Sequence, residues 1–239
     1  MVEKKSQWES FKQVNGFGLA SFDNFINEED AYKLYEECTS APKGGWTLFS
    51  RAGSRMEEFN DLINCPIAHR VTYSLFHSGE FLYNLEQLTG IGGIMPDPHL
   101  VGAGFSIIRN GDNLGCHYDF NWNDRLRLHR KLTSILYITP DWKDDWGGNL
   151  EYYNDNIDVN SEATLIHSAS PKFNRFVISE NVKEGPYHRV KKISSPIDKP
   201  RCAIRFFYYI SDAVFKEDDP PHRSIYKSNE YTHTRLHDK

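Results

Sequence analysis

The chain has 239 residues, enough for one large domain or two small ones, and its 39% hydrophobic and 14% aromatic content supports a sheet-rich core. A formal charge of −5, from 28 basic against 33 acidic residues, disfavours general nucleic-acid binding. The four cysteines (Cys38, Cys65, Cys116, Cys202) form no CxxC pair, which disfavours a zinc ribbon or disulfide scaffold and fits a reducing compartment. The N-terminus lacks an apolar signal core and no run approaches a membrane span, so a cytoplasmic protein without membrane association is expected.

In chain order, "INEEDAYKLYEECTSAP" predicts a helix. Asn27 can cap it, Glu28, Glu29 and Asp30 suit its positive end, and Ala31, Leu34, Tyr35 and Cys38 recur at helical spacing. "GGWTLFSRAGSRMEEFND", with Gly44, Gly45 and Gly53, reads as a surface loop with the makings of a lid. "HSGEFLYNLEQLTGIGG" predicts a second helix, capped by Ser78, with Phe81, Leu82, Leu85 and Leu88 as its buried stripe and Gly90 as its stop. From about residue 100 short β-like runs take over: "GAGFSIIR", "LTSILYIT", "NLEYYN", "ATLIH", "NRFVIS", "YHRVKKI" and "RCAIRFFYYIS". Many short strands at this spacing predict an all-β sandwich or jelly roll, with the earlier helices on one outer face. "NDRLRLHRK" reads as a charged loop, "SASP" after His167 as a turn, and the polar, proline-broken end as an extended surface tail.

The stretch "GCHYDFNW" places His117 and Asp119 two apart, so on a strand both face one pocket. One further histidine would complete the 2-His-1-carboxylate facial triad of non-haem iron(II) oxygenases, which leaves three coordination positions open. His129 lies in the charged loop, His167 before a turn, and His222, His233 and His237 in the tail. His188 opens a β-like run and is the preferred third ligand. Arg201 heads the last strand, where a guanidinium can hold a carboxylate bidentately. Each feature alone is common, and a lone HxD arises often by chance. Their order, spacing and strand context carry the reading together.

On these residues the sequence resembles the iron(II)/2-oxoglutarate-dependent dioxygenases, in the prolyl-4-hydroxylase-like branch. The resemblance covers roughly residues 99–226 and is strongest in "NGDNLGCHYDFN", "KLTSILYITPDWKDDWGGNLEYYN", "NRFVISENVKEGPYHRV" and "PRCAIRFFYY"; "PPHRSIYK" echoes the tail of bacterial members. It implies a mostly β fold with flanking helices, the double-stranded β-helix (a cupin-like jelly roll). The implied organisation is a helical and strand segment over 1–98 packing on the barrel, a catalytic core over 99–215 and a polar tail over 216–239, within one domain.

The resemblance also implies His117, Asp119 and His188 as iron ligands and Arg201 as the partner of the distal carboxylate of 2-oxoglutarate, assisted by Tyr137. Leu150 and Val190 would line the cosubstrate pocket and Phe207 would sit near the iron. From composition alone, Tyr137, Leu150, Val190 and Phe207 read first as ordinary core packing. Iron(II), 2-oxoglutarate and dioxygen are the expected cofactors, with ascorbate as a reductant. The implied substrate is a prolyl residue of a peptide or protein; a free amino acid or other small metabolite is the alternative, and a non-catalytic jelly-roll binding module a third. The loop that follows the HxD pair would place Trp122, Arg125 and Arg127 at the flank of the pocket mouth, with a solvated surface loop as the other reading. Two positions depart from the family pattern: Ile108 stands where a tyrosine is common, and Arg205 where a small residue is usual. Because residues 201, 203, 205 and 207 share a strand face, Arg205 is expected to need an anion, supplied by substrate or by an internal salt bridge.

Overall fold

The computed structural model describes residues 1–51, 53–154, 164–183, 185–215 and 218–226. Helix α1 (Lys5–Asn15) buries Trp8 and ends at Gly16, which takes the left-handed conformation at φ 81°. Strand β1 (Leu19–Phe22) follows, then α2 (Glu28–Ser40), where the Asn27 side chain accepts from the Glu29 and Asp30 amides as the sequence predicts. Strands β2 (Thr47–Arg51) and β3 (Ser54–Phe59) form a hairpin. Helix α3 (Pro66–Val71) runs on into a π turn, and α4 (Gly79–Thr89) is capped by the Ser78 hydroxyl and stopped at Gly90. Phe81, Leu85 and Leu88 of its predicted stripe are buried.

The remaining strands are β4 (Met95–Pro96), β5 (Gly104–Ile108), β6 (Leu114–Tyr118), β7 (Trp122–Asn123), β8 (Leu128–Tyr137), β9 (Leu150–Tyr153), β10 (Leu165–Ala169), β11 (Arg175–Glu180), β12 (Tyr187–Val190), β13 (Arg201–Ile210) and β14 (Ile225–Tyr226). They pair antiparallel into two sheets. The larger runs β1-β11-β8-β13-β5-β3-β2, with β4 on β13 and β7 on β8; the smaller runs β10-β9-β12-β6-β14. Successive strands from β5 to β13 divide between the two sheets, which is the winding of a double-stranded β-helix.

The long central strands β8 and β13 are buried at almost every position because both faces are covered. Ile204, Phe206 and Tyr208 pack with Trp8, Leu34 and Leu85 from the helices. Ala203 and Tyr137 instead join Leu114, Leu150, Val190 and Ile193 in the cluster between the sheets. The first hundred residues thus supply covering helices and also strands β1 to β4 of the larger sheet. Among the described residues no helix is long and apolar enough to cross a membrane.

Four local expectations are corrected. His129, Arg130 and Lys131 lie in β8 rather than in a charged loop, since His129 and Arg130 pair with Ile210 and Tyr209 and Lys131 lies between Arg130 and Leu132, which pairs with Tyr208. Ser168 and Ala169 of "SASP" continue β10 beyond His167 instead of turning, because β9 supplies a pairing edge as far as Ala169. The glycine-bearing stretch read as a loop is the β2–β3 hairpin, anchored by β3 pairing with β5. The tail is not merely extended: Ile225 and Tyr226 pair with Tyr118 and His117 as β14, and residues 227–239 lie outside the described residues.

Candidate metal centre

His117 lies on β6 and His188 directly opposite it on β12, in register, while Asp119 follows the end of β6. The Nδ1 of His117 faces the Gly115 carbonyl at 2.7 Å and that of His188 faces the Pro186 carbonyl at 3.0 Å. These contacts fix both rings and turn each Nε2 toward Asp119, whose Oδ1 is 3.8 Å from either. One ligand atom from each residue lies within 4.8 Å of the other two, a set able to converge on one metal ion. Burial, and then the neighbouring His188, push the His117 imidazole down to about 4, so it is neutral and able to ligate at neutral pH. Burial alone would raise the Asp119 carboxyl; Arg130, His188, His117 and the Thr133 hydroxyl hold it well below the usual carboxylate range.

Arg130 is the neighbour that sequence reasoning missed. Its Nη2 donates to Asp119 Oδ2 at 2.8 Å and to the Thr133 hydroxyl at 2.7 Å, and that hydroxyl is 3.0 Å from the same carboxylate oxygen. Oδ2 is thereby engaged while Oδ1 faces the histidines. The guanidinium stacks 3.4 Å from the Phe207 ring centre and 4.4 Å from that of Phe120. A register shift places it there: Tyr208 opposes Leu132 but Tyr209 opposes Arg130, so Lys131 is an extra residue in β8. The bulge moves Arg130 onto the face of Thr133, and regular alternation would have turned it away.

Deeper between the sheets, Arg201 is buried, donates through Nε to the Gly148 carbonyl at 2.8 Å, and lies 4.7 Å over the Tyr137 ring. Gly148 has φ +71°, and a Cβ there would meet the Arg201 Cδ at 3.0 Å, so only glycine lets the carbonyl approach this closely. Arg201 Nη2 and the Tyr137 hydroxyl are both buried without a hydrogen-bond partner. Burial raises the Tyr137 pKa, keeping the phenol a donor. Two unpaired donors on a buried cation and its aromatic neighbour make a site for an anionic group. Leu150 and Val190 pair across β9 and β12 and share the buried cluster with Tyr137. Ile108 opposes Arg201 across β5 and β13 and offers the site no polar atom.

Arg205 pairs with Glu58 of β3 and reaches within 5.9 Å of the Phe207 ring centre. The anion beside Arg205 is thus an internal carboxylate, the salt bridge that the sequence offered as one of its two readings. Trp122 and Arg125 line a cavity of about 400 Å³ together with Phe49, Phe120, Arg223 and Tyr226. Arg127 is not in its lining; the guanidinium lies 5.5 Å over the Trp122 ring. Tyr226, from the tail, stacks on His117 with ring centres 4.7 Å apart and planes 17° off parallel. Only its place in "SIYK", the block echoing bacterial tails, hinted at that position.

Residues 103–209 match the 2OG-Fe(II) oxygenase superfamily. No curated protein sequence matches the chain. Among solved structures, a Trichoplax adhaerens prolyl hydroxylase in complex with a hypoxia-inducible-factor oxygen-degradation-domain peptide is similar, with TM-score 0.59 and 18% identity over 87% of this chain and 90% of that one. A Pseudomonas putida prolyl-4-hydroxylase gives 0.58 and 13% over 87% and 99%. HygX from Streptomyces hygroscopicus, with nickel, 2-oxoglutarate and hygromycin B bound, gives 0.54 and 10% over 91% and 97%. At these identities the likeness speaks for the fold, and that fold is the one traced above. Two imidazoles and a carboxylate suit iron(II), and the unpaired donors at Arg201 and Tyr137 suit a dicarboxylate cosubstrate. Sequence match, winding and donor chemistry agree that residues 103–209 form a 2OG-Fe(II) oxygenase region, of a kind that depends on iron(II) and 2-oxoglutarate.

Proposed function

We propose that this chain is a prolyl-4-hydroxylase-like enzyme that hydroxylates a prolyl residue of a peptide or protein in the cytoplasm. The carrying observation is the juxtaposition of a convergent His117, Asp119 and His188 set with a buried, partly unpaired Arg201 in one barrel. In this reading the triad holds iron(II), and Arg201 with Tyr137 holds the far carboxylate of 2-oxoglutarate. Bound together with dioxygen, these groups supply oxidation of an unactivated C–H bond, with succinate and carbon dioxide as coproducts.

The protein's part is to orient and to exclude water. Leu150 and Val190 wall the cosubstrate pocket with apolar surface, and Phe207 and Phe120 shield the Arg130–Asp119 pair. Arg130 orients Asp119 so that one oxygen is left for the metal. The cavity lined by Trp122 and Tyr226 lies next to the site, since Tyr226 stacks on His117, and its room supports a substrate larger than a free amino acid.

The test is a panel of prolyl peptides and free amino acids incubated with enzyme, iron(II) and 2-oxoglutarate. Succinate is followed by NMR and substrate by mass spectrometry for a gain of one oxygen. Hydroxylated peptidyl proline is expected. Hydroxylation confined to a small metabolite would replace the prolyl reading, and absence of any 2-oxoglutarate turnover would favour a binding module.

A further inference from the structure

The cavity beside the triad has an apolar floor and a charged rim. Phe49, Phe120, Trp122 and Tyr226 form the floor, and Tyr226 joins it to the site through its stack on His117. Arg51, Arg125 and Arg223 also line it, all exposed, against one acidic residue, Asp124. This concentration of cations stands on a chain whose net charge is −5, so it is a local feature and not an overall basic character.

The backbone around the cavity has a second property. Strand β2 ends the larger sheet and β14 ends the smaller one. They meet at the cavity, where Phe49 of β2 and Tyr226 of β14 stack with ring centres 6.1 Å apart. Among the described residues the outer edge of β2 carries no strand partner, and Phe49 and Arg51 lie on one face of it. An extended chain added to this edge would use its own amides and carbonyls, which a small anion lacks.

We propose that this mouth selects an acidic peptide. An extended segment lies along β2, carries carboxylates to Arg125 and Arg223, and sets an apolar side chain on the Phe49, Trp122 and Tyr226 surface. The proposal rests on the reading of the chain as a peptidyl prolyl hydroxylase and adds the class of peptide. Arg125 and Arg223 act on association and register, because exposed charges steer encounter and favour a complementary partner.

The experiment uses three nine-residue peptides with a central alanine-flanked proline and outer positions that are all glutamate, all glutamine or all lysine. Hydroxylation is read by mass spectrometry, and uncoupled 2-oxoglutarate turnover is measured alongside. The glutamate peptide is expected to show a KM about tenfold below the glutamine peptide, an advantage that shrinks as salt rises from about 0.05 to 0.5 M. The exposed Arg125→Glu/Arg223→Glu double variant is expected to transfer the preference to the lysine peptide. Equal KM values for all three, or an unaltered preference in the variant, would overturn acidic selection and leave the prolyl reading standing. Hydroxylation of none of them while 2-oxoglutarate is consumed, with an anionic metabolite hydroxylated instead, would overturn both.

Discussion

Replacing Arg130 by methionine should expose how much of the site's order depends on one buried ion pair. The side chain is almost wholly inaccessible and Asp119 nearly so, at 1% and 15% relative exposure, and they meet at 2.8 Å. Removing one partner of such a pair strands the other charge, at about 3–5 kcal/mol. Arg130→Met should therefore destabilise the metal-free protein by about that much, and Asp119→Asn should do similarly by stranding Arg130. Together the two changes leave neither charge unpaired, so the double variant should lose less than the sum by about 2–3 kcal/mol. Urea unfolding of the four proteins in a chelator, followed by far-UV circular dichroism, measures this cycle. Additivity to within about 0.5 kcal/mol would refute the coupling and reduce Arg130 to a packing residue over Phe207 and Phe120.

Arg201→Ala should raise the KM for 2-oxoglutarate by the equivalent of about 2–4 kcal/mol while leaving metal affinity close to that of the parent, both measured with the same preparation. Gly148→Ala puts a Cβ at φ +71° and 3.0 Å from the Arg201 Cδ, so it should cost about 1–3 kcal/mol of stability and also weaken 2-oxoglutarate binding; unchanged binding would show that Arg201 keeps its place without the Gly148 carbonyl. Burial pushes His77 down to about 4 from an ordinary 6.5, so the folded state favours the neutral ring. Its contribution is complete above about pH 6.5 and is lost as pH falls toward 4, at most about 3 kcal/mol, and His77→Gln should flatten that part of the stability profile.

Much of this protein was legible along the chain because the deciding physics is local. Asn27, Ser78 and Gly90 bound their helices through side-chain or backbone geometry within a few residues. The two-residue strand period puts His117 and Asp119 on one side, and the run after residue 186 marks His188 as a strand histidine. Arg201 heads a strand whose near-continuous burial is visible in the apolar run "CAIRFFYYI". Tertiary structure decided the rest, because those contacts join distant segments or depend on register. Glu58 meets Arg205 only because β3 pairs with β5 and β5 with β13. Tyr226 reaches His117 only because the edge of β6 accepts a short strand from the tail. Arg130 faces Asp119 only because Lys131 bulges from β8, and one extra residue reverses which face every earlier side chain takes.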